Sequence, residues 1–371
     1  MTPPIPAPDG VEGQPFRLEP DWFARYYETH PPRLRFQAST HEEWSAWRRR
    51  LRQRLWELLG VHDARRAPDA RGTLDEPAAD ETERVPLRPR VVEVQEEECY
   101  RREKVVYDTA PGVTAVAYLL IPRGVALPRP AVLCPPGHGS GMEAVAQKGT
   151  TQDYGVRFAE AGFVTLAPEH IGFGERAQLD RDDPARGYRL TNLKLQLLGR
   201  TIIGLRLWDL QRALDLLQSR PEVIPDRIGC VGLSLGGEMT LYLAALDDRV
   251  RAAVISGFLN TFRHTFFAVE HCNCGYVPGI LKWAEMGDIG ALIAPTPLLV
   301  EAGKRDRGFP LAGALEGYGI VRRAYQLLGL PERCEMEVFD GGHAFSGRKA
   351  IPWMQRWLGA EADGVSEAPS R

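Results

Sequence analysis

The chain has 371 residues, of which 44% are hydrophobic and 26% are charged, a composition typical of a soluble globular protein. The formal net charge of −3 gives no basis for binding nucleic acid or an anionic membrane surface. No stretch reaches the roughly 18 uninterrupted apolar residues that a membrane-spanning helix needs. Six cysteines in a chain of this length do not make a disulfide framework.

The N-terminal region, residues 1–85, is predicted to be a Pro-rich segment followed by a helical extension and a polar linker at residues 63–84. The start of the chain lacks the basic and apolar stretches of a secretory signal, so we expect a cytoplasmic protein. Thr40 and Glu43 have the spacing of a capping box. The apolar side chains that follow at helical spacing are Trp44, Trp47, Leu51, Leu55 and Leu58. This face needs a partner surface, either the rest of the chain or a second copy in a homo-oligomer.

Residues 86–360 are predicted to form one catalytic domain, and residues 361–371 a flexible tail. Predicted strands are 90–95, 102–108, 114–121, 130–134, 163–167, 227–231, 250–256, 297–302 and 334–339, and predicted helices are 153–161, 193–220, 238–246, 312–328 and 350–358. Strands separated by helices indicate an α/β fold with a mostly parallel, doubly wound sheet covered on both faces. The early hairpin-like strands predict an antiparallel start.

The most informative pattern is Gly232-Leu233-Ser234-Leu235-Gly236, which fits G-x-S-x-G between a predicted strand and a predicted helix. This is the arrangement of a nucleophile elbow, a sharp turn that exposes a serine hydroxyl at the end of a strand. Glycines beside the serine allow the tight turn because a Cβ atom there would clash. We therefore predict Ser234 as a catalytic nucleophile.

A serine hydroxyl needs a base to remove its proton and an acid to orient that base. His343 follows the last predicted strand in a glycine-rich loop, where the base is expected, and Asp306 follows the preceding predicted strand. Asp340 is the alternative acid, although Asp-Gly is a turn signal. Glu301 lies within a strand and Asp288 precedes one, so neither is favoured.

The oxyanion of the tetrahedral intermediate needs preorganised N–H donors. The backbone N–H of Leu235, directly after the nucleophile, is the first candidate. The second is expected from the glycine-rich loop after the predicted strand 130–134, at Gly139 or Ser140. His138 in this loop is expected to have a structural role through a hydrogen bond.

Taken together, these residues resemble the α/β-hydrolase superfamily, in the branch of acetylxylan-esterase-like and dienelactone-hydrolase-like proteins. The resemblance covers roughly residues 90–360. It rests on these stretches: Pro136-Gly137-His138-Gly139, Glu169-His170-Ile171-Gly172-Phe173-Gly174-Glu175, Trp208-Asp209, Arg212-Ala213-Leu214-Asp215, Asp226-Arg227-Ile228-Gly229 before the elbow, and Gly342-His343. Dienelactone hydrolases use a cysteine nucleophile, so Ser234 shifts the expectation toward ester hydrolysis.

Two segments, 169–189 and 257–293, are expected to form the wall of a substrate pocket. The candidate lining residues are His138, Glu169, His170, Phe258 and Tyr276. The stretch His271-Cys272-Asn273-Cys274, with His264, offers metal-ligand types without a second Cys pair at zinc spacing. Since the proposed chemistry needs no metal or cofactor, none is predicted.

These expectations converge on a serine carboxylic-ester hydrolase that forms an acyl-enzyme on small acyl esters, such as acetylated sugars. One alternative is a serine peptidase of the prolyl-oligopeptidase type, for which about 85 preceding residues are few beside the large propeller of that family. Another alternative is a C–C bond hydrolase on the same fold. A non-catalytic binding protein is the alternative from a different class.

Overall fold

The fold is described from a computed structural model for residues 22–61, 84–177 and 184–359. The predicted Pro-rich segment, nearly all of the predicted linker and the predicted tail lie outside these residues. Among the described helices, none combines the length and the apolar character needed to cross a bilayer.

In the described residues a single nine-stranded sheet has the order β1-β2-β3-β5-β4-β6-β7-β8-β9. Its strands are β1 (Arg90–Glu96), β2 (Tyr100–Ala110), β3 (Val113–Pro122), β4 (Arg129–Leu133), β5 (Val164–Pro168), β6 (Val223–Leu233), β7 (Val250–Ser256), β8 (Leu298–Gly303) and β9 (Cys334–Phe339). The pairs β1/β2, β2/β3 and β3/β5 are antiparallel. All other neighbours are parallel, which confirms the predicted antiparallel start and mostly parallel sheet.

Helices cover both faces of this sheet. They are α1 (Trp22–Thr29), α2 (His41–Leu59), α3 (Gly141–Ala146), α4 (Tyr154–Glu160), α5 (Pro184–Leu197), α6 (Ile202–Ser219), α7 (Leu235–Leu246), α8 (Met286–Ala291), α9 (Leu311–Leu327) and α10 (Ala350–Leu358). Alternate residues of the strands point to opposite faces. Ala131 and Leu133 of β4 thus join one apolar core with α2, α6, α7, α8 and α9, while Val132 joins a second core with α3, α4 and α10.

The helix predicted at residues 193–220 is wrong in its continuity, because the chain forms two helices there. Gly199 has φ of 70°, a left-handed conformation that favours glycine and ends α5. Thr201 then begins α6, with its hydroxyl accepting a hydrogen bond from the N–H of Gly204 at 3.0 Å. The hydroxyl of Thr201 also donates to the carbonyl of Leu59, which joins the start of α6 to the end of α2.

The amphipathic helix α2 packs inside the molecule. The hydroxyl of Thr40 accepts from the N–H of Glu43 at 3.2 Å and caps the helix. Leu51, Leu55 and Leu59 are fully buried in the same core as α6, α7 and α8. The apolar face of α2 is therefore an internal seam, and it is not the surface for a second copy that the sequence left as an alternative.

Parallel strands place their carboxyl ends at one edge of the sheet, and that edge carries the loops after β4, β6, β8 and β9. These loops contain the residues predicted to form an oxyanion site, a nucleophile, an acid and a base. Ligands of open α/β sheets bind at this edge. The architecture thus brings sequence-distant loops to one rim.

Candidate active site

The turn between β6 and α7 has the geometry of a nucleophile elbow. Ser234 adopts φ of 60° and ψ of −122°, a conformation that is rare for a residue with a side chain. A Cβ atom at Gly232 would collide with the backbone of Gly236, and one at Gly236 would collide with the carbonyl of Pro135. The two glycines are therefore required by the tight turn, and the strained serine is held by its surroundings.

Asp306 and His343 meet through a direct hydrogen bond. Nδ1 of His343 is 2.7 Å from Oδ2 of Asp306, and the carboxylate is almost completely shielded while the imidazole is 38% exposed. The other oxygen of Asp306 accepts from the backbone N–H groups of Gly308 and Phe309 at 2.9 and 3.0 Å. The ring of Phe309 stacks on the imidazole, with centroids 5.6 Å apart. The carboxylate is thus fixed by its own loop and orients the imidazole.

The end of β7 connects the elbow to the His343 loop. The N–H of Ser234 donates to the carbonyl of Ser256 at 3.0 Å, and the hydroxyl of Ser256 donates to the carbonyl of Ala344 at 3.4 Å. At Gly257, with φ of 53°, an added Cβ atom would lie 3.2 Å from both Cε1 and Nδ1 of His343. The imidazole therefore packs directly against the strand end that supports the serine.

The other acidic residues considered from the sequence have different partners. Asp340 forms an exposed ion pair with Arg305. Glu301 is buried and accepts from the N–H groups of Ser346 and Gly347 at 3.2 and 3.0 Å, so it braces the loop that follows His343. These contacts agree with the sequence argument that favoured Asp306.

Asp288, the remaining acid, lies away from the rim and caps α8. Its two oxygens accept from the N–H groups of Phe36 and Glu285, at 2.7 and 2.8 Å. Burial raises the pKa of Asp288 to about 6. This carboxyl group therefore fastens the segment before α2 to the body of the molecule.

The loop after β4 approaches the elbow, since a Cβ atom added at Gly236 would lie 2.1 Å from the carbonyl oxygen of Pro135. Leu235 is the first residue of α7, and its N–H belongs to the free N-terminal end of that helix. The N–H of Ser140 already donates to the carbonyl of Gly137 at 3.4 Å, and its hydroxyl accepts from Gln152 at 2.6 Å. Of the two predicted alternatives, Gly139, which has φ of 72°, is therefore the better candidate for the second N–H.

A cleft of about 580 Å³ opens at the serine. Its lining includes His138, Ser234, Phe258, Phe266, His271 and Phe309. Its size lies within the range of small-molecule sites, and its aromatic side chains offer an apolar surface beside the serine. Among the predicted pocket residues, His138 and Phe258 thus lie in the wall.

Glu169 and His170 do not lie in that wall, so their predicted role as pocket residues is wrong. Each is only 2% exposed. Glu169 accepts from the N–H of Met142 at 3.4 Å and lies beneath the loop that carries Gly139. Burial lowers the pKa of His170 well below its ordinary value, and the nearby Arg206 and Arg176 guanidinium groups lower it further. Both side chains are therefore buried against the segment that follows β4, Glu169 through Met142 and His170 through the backbone of Pro136.

Tyr276 also lies outside the cleft lining, contrary to its predicted place. Its ring packs edge-on against Phe266 at 4.9 Å, and its hydroxyl donates to the carbonyl of Phe266 at 3.3 Å. Phe266 itself lies in the wall. Tyr276 therefore contacts the cleft only through its neighbour.

The histidines and cysteines of the 257–293 segment are arranged differently from the sequence-based metal pattern. His264 binds the hydroxyl of Thr261 at 2.8 Å, and His271 binds the hydroxyl of Thr265 at 2.6 Å. Cys272 and Cys274 instead face His138 of the loop after β4, and the ligand atoms of these three residues lie within 4.8 Å of one another. Sequence spacing gave no signal for this cluster because His138 lies on a different loop.

Glu238 and His271 are cleft residues that the sequence analysis did not propose. Glu238 follows Ser234 by one helical turn, and this i, i+4 spacing on α7 is a signal that would have found it. Burial raises the pKa of Glu238 well above its ordinary value. Burial likewise lowers the pKa of His271, whose ring packs at a tilt against Phe266 and Phe309. The cleft floor therefore favours the neutral forms of both groups.

Comparisons with known proteins agree with this architecture. Residues 27–350 match the model of the Abhydrolase family. The provisionally named hydrolase YtaP of Bacillus subtilis (strain 168) is 29% identical over 296 residues, covering 74% of this chain and 94% of the relative.

Solved structures show the same fold at lower identity. A provisional acetyl xylan esterase from Bacteroides fragilis NCTC 9343 superposes with a TM-score of 0.72 at 21% identity, covering 90% of this chain and 93% of the other. A glucuronoyl esterase from Solibacter usitatus gives 0.61 at 16% identity, covering 89% and 97%. The nine-stranded sheet is thus the α/β-hydrolase fold, and the chain belongs to the Abhydrolase family.

Proposed function

We propose that this chain is a serine carboxylic-ester hydrolase that acts on small acyl esters through an acyl-enzyme. The observation that carries the proposal is the 2.7 Å hydrogen bond between Asp306 and His343, at the sheet edge where the elbow presents Ser234. Serine, aspartate and histidine, in this order along the chain, are the components of the hydrolytic triad of the fold. Membership of the Abhydrolase family supports the same reaction class.

In the proposed first step, Oγ of Ser234 attacks the ester carbonyl while Nε2 of His343 takes the hydroxyl proton. Asp306 accepts from Nδ1–H, so the tautomer that leaves Nε2 free is stabilised, and the carboxylate also stabilises the imidazolium that forms. The N–H groups of Leu235 and Gly139 are proposed to bind the oxyanion. His343 then gives its proton to the leaving alkoxide, and the alcohol departs.

In the second half, a water molecule attacks the acyl-enzyme. His343 removes a proton from the water, and the second tetrahedral intermediate collapses to release the acid and restore Ser234. The imidazole is partly exposed, which gives water access to it. No metal or cofactor takes part in these steps.

The proposed substrates carry a short acyl group. Phe258, Phe266 and Phe309 line a cleft of about 580 Å³ around the serine, which suits an acetyl-sized group with room for a sugar-sized alcohol. Two structures of the same fold are described as an acetyl xylan esterase and a glucuronoyl esterase. Acetylated sugars are therefore the first substrate class to test.

The proposal is tested with 4-nitrophenyl acetate and the variant Ser234→Ala. The variant should lose turnover by about a millionfold, as other serine triads do when the nucleophile is removed. Ser346→Ala is the matched control, because this hydroxyl on the His343 loop donates to Glu337 at 2.9 Å and should leave turnover near wild type. Equal activity of wild type and Ser234→Ala would reject the nucleophile.

A substrate panel then separates the ester reaction from the peptidase and C–C hydrolase alternatives. The panel contains 4-nitrophenyl esters of increasing acyl length, acetylated xylo-oligosaccharides, a peptide amide and a vinylogous diketone. We expect kcat/KM to be highest for acetyl esters and to fall with acyl length. Faster cleavage of the amide or the diketone than of every ester would replace the proposed reaction with the corresponding alternative.

A further inference from the structure

We propose that His138, Cys272 and Cys274 form a binding site for a thiolate-preferring divalent cation, with Zn²⁺ as the type, in the wall of the cleft beside Ser234. The inference does not depend on the proposed esterase reaction. It starts from three potential ligand atoms, one on each residue, that lie within 4.8 Å of one another. All three residues also line the cleft.

The separation of these atoms is close to that of a tetrahedral zinc site. Zn–S bonds of about 2.3 Å and Zn–N bonds of about 2.0 Å place the ligand atoms roughly 3.5 to 3.8 Å apart. The present spacing of up to 4.8 Å therefore has to contract by about 1 Å. In the proposed site, torsions of the imidazole and thiol side chains would supply this contraction.

The two sulfur atoms belong to a tight turn that is held from outside. The N–H of Cys274 points at Sγ of Cys272 at 3.4 Å, and the N–H of Gly275 donates to the carbonyl of Cys272 at 3.1 Å. The side chain of Asn192 on α5 donates to the carbonyl of Asn273 at 2.7 Å. The turn is thus formed before any ion binds, and N–H donation to sulfur stabilises a thiolate ligand.

The histidine comes from the opposite wall and is restrained by aromatic rings. The imidazole of His138 packs edge-on against Phe173 at 5.0 Å and Tyr188 at 5.4 Å. These contacts limit its rotation and direct it toward the sulfur atoms. A ligand supplied by a separate loop would tie the loop after β4 to the 257–293 segment when an ion is bound.

Burial in the cluster leaves one side open. Cys274 is 2% exposed, Cys272 is partly buried and His138 is exposed. An ion held by these three groups would have protein behind it and the cleft in front. Three protein ligands with a free fourth position are the pattern of zinc sites that bind a water molecule or a small ligand.

The charges around the cluster are compatible with a dication. The N–H of Cys274 points at Sγ of Cys272 at 3.4 Å, an arrangement that stabilises a thiolate there. Two thiolates would neutralise Zn²⁺. The buried guanidinium of Arg206 lies near both Cys274 and Glu238. Arg189, which interacts with Cys272, is exposed and screened by solvent.

Proton release follows from the chemistry of the two thiol ligands. A thiol must lose its proton to bind zinc, so affinity should increase with pH and binding should release protons. The cation would occupy the cleft that we propose for the ester, and Zn²⁺ should therefore compete with substrate.

The test uses the full chain, freed of metal by a chelator and titrated with Co²⁺ and Zn²⁺. We expect one ion per chain, with the sulfur-to-cobalt charge-transfer absorption that reports thiolate ligands, and displacement of Co²⁺ by Zn²⁺. The double variant Cys272→Ser/Cys274→Ser should abolish that absorption. His138→Gln should weaken binding by about tenfold or more. Cys99→Ser, which removes an exposed cysteine outside the cluster, is the matched control and should bind as wild type does.

A second measurement in the wild-type protein covers the case in which a variant fails to fold. Zn²⁺ should protect Cys272 from alkylation by iodoacetamide, and Mg²⁺ should not. Absence of stoichiometric binding by the wild type, or thiolate–cobalt absorption that persists in Cys272→Ser/Cys274→Ser, would overturn the site. These readouts do not need ester hydrolysis, so their failure is distinct from failure of the proposed function.

Discussion

The rim of the sheet and the α2 seam are both built from residues that are far apart in the chain, but they are held in different ways. At the rim a 2.7 Å hydrogen bond joins Asp306 to His343, and Ser256 links the backbone of Ser234 to the loop that carries His343. The seam joins α2 to the body through buried leucines such as Leu51 and Leu55.

Exact residue identity matters more at the rim than in the seam. Hydrogen bonds at the rim depend on direction and on which atom carries the proton, so a change of one atom can remove the function. Burial in the seam is proportional to apolar area and lacks direction. Rim substitutions should therefore change turnover with little loss of stability, and seam substitutions should do the reverse.

After removal of the Ser234 hydroxyl, the largest expected effect at the rim is that of Asp306→Asn. The amide oxygen can keep accepting from Gly308 and Phe309, but the NH₂ group would face Nδ1 of His343 and reverse its tautomer. Nε2 would then carry the proton and could not act as the base. We expect kcat to fall by about 10⁴ with little change of Tm.

Asp340→Asn is the control for that experiment, since Asp340 is on the same loop as His343 but pairs with Arg305 in solvent. It should keep near-wild-type turnover of 4-nitrophenyl acetate. If Asp340→Asn loses activity and Asp306→Asn does not, Asp340 is the acid of the triad.

The next effect belongs to the seam. Leu55 is fully buried on α2, so Leu55→Ala should lower the free energy of unfolding by about 2 to 5 kcal/mol. Denaturant unfolding measures the loss, and kcat of the folded fraction should not change. Leu58→Ala on the same helix is the matched control, and because Leu58 is only partly buried its loss should be smaller. A fall in kcat for Leu55→Ala would show that the seam and the rim are coupled.

Two buried carboxyl groups give the stability a pH dependence. Burial raises the pKa of Glu301, which braces the His343 loop, and of Glu285, which caps α8, from 4.5 to about 7. The folded state thus binds protons more tightly, so this contribution is fully present below pH 4.5 and is lost as pH rises through about 7. Each group accounts for up to about 3 kcal/mol.

Unfolding free energies of wild type and Glu301→Gln at pH values from 4.5 to 8 test this expectation. The variant should show a shallower decline than wild type, with Glu285 supplying what remains. Parallel curves for the two proteins would mean that Glu301 is not protonated more readily in the folded state.

The smallest effect on stability is expected for the exposed ion pairs between α2 and Asp248. Asp248 accepts from Arg48 and Arg52 at 2.8 and 2.7 Å, but its side chain is 70% exposed. Asp248→Asn should therefore cost less than about 1 kcal/mol, and the difference should shrink in high salt because solvent and ions screen the pair. A loss as large as that of Leu55→Ala would contradict the view that the seam is held by apolar burial.

The features that could be predicted from the amino-acid sequence are those that depend on short stretches of chain or on the order of strands and helices. Strand–turn–helix around Ser234 requires glycines at fixed positions, because the turn has no room for Cβ atoms at Gly232 and Gly236. Alternating strands and helices require a sheet covered on both faces, and that requirement places the loops with Asp306 and His343 at one edge. These are local or topological constraints, so a single sequence is enough to reveal them.

Which side chains line the cleft, and which are buried beneath its loops, could be seen only in the folded structure. Glu169 follows a strand as a rim residue should, yet it is buried beneath the loop after β4. His138 meets Cys272 and Cys274 from a different loop, and no spacing within either segment encodes that meeting. Whether a residue after a strand reaches the cleft, and which loops meet, depends on packing across the whole domain. Long-range contacts decide both, and local propensity does not.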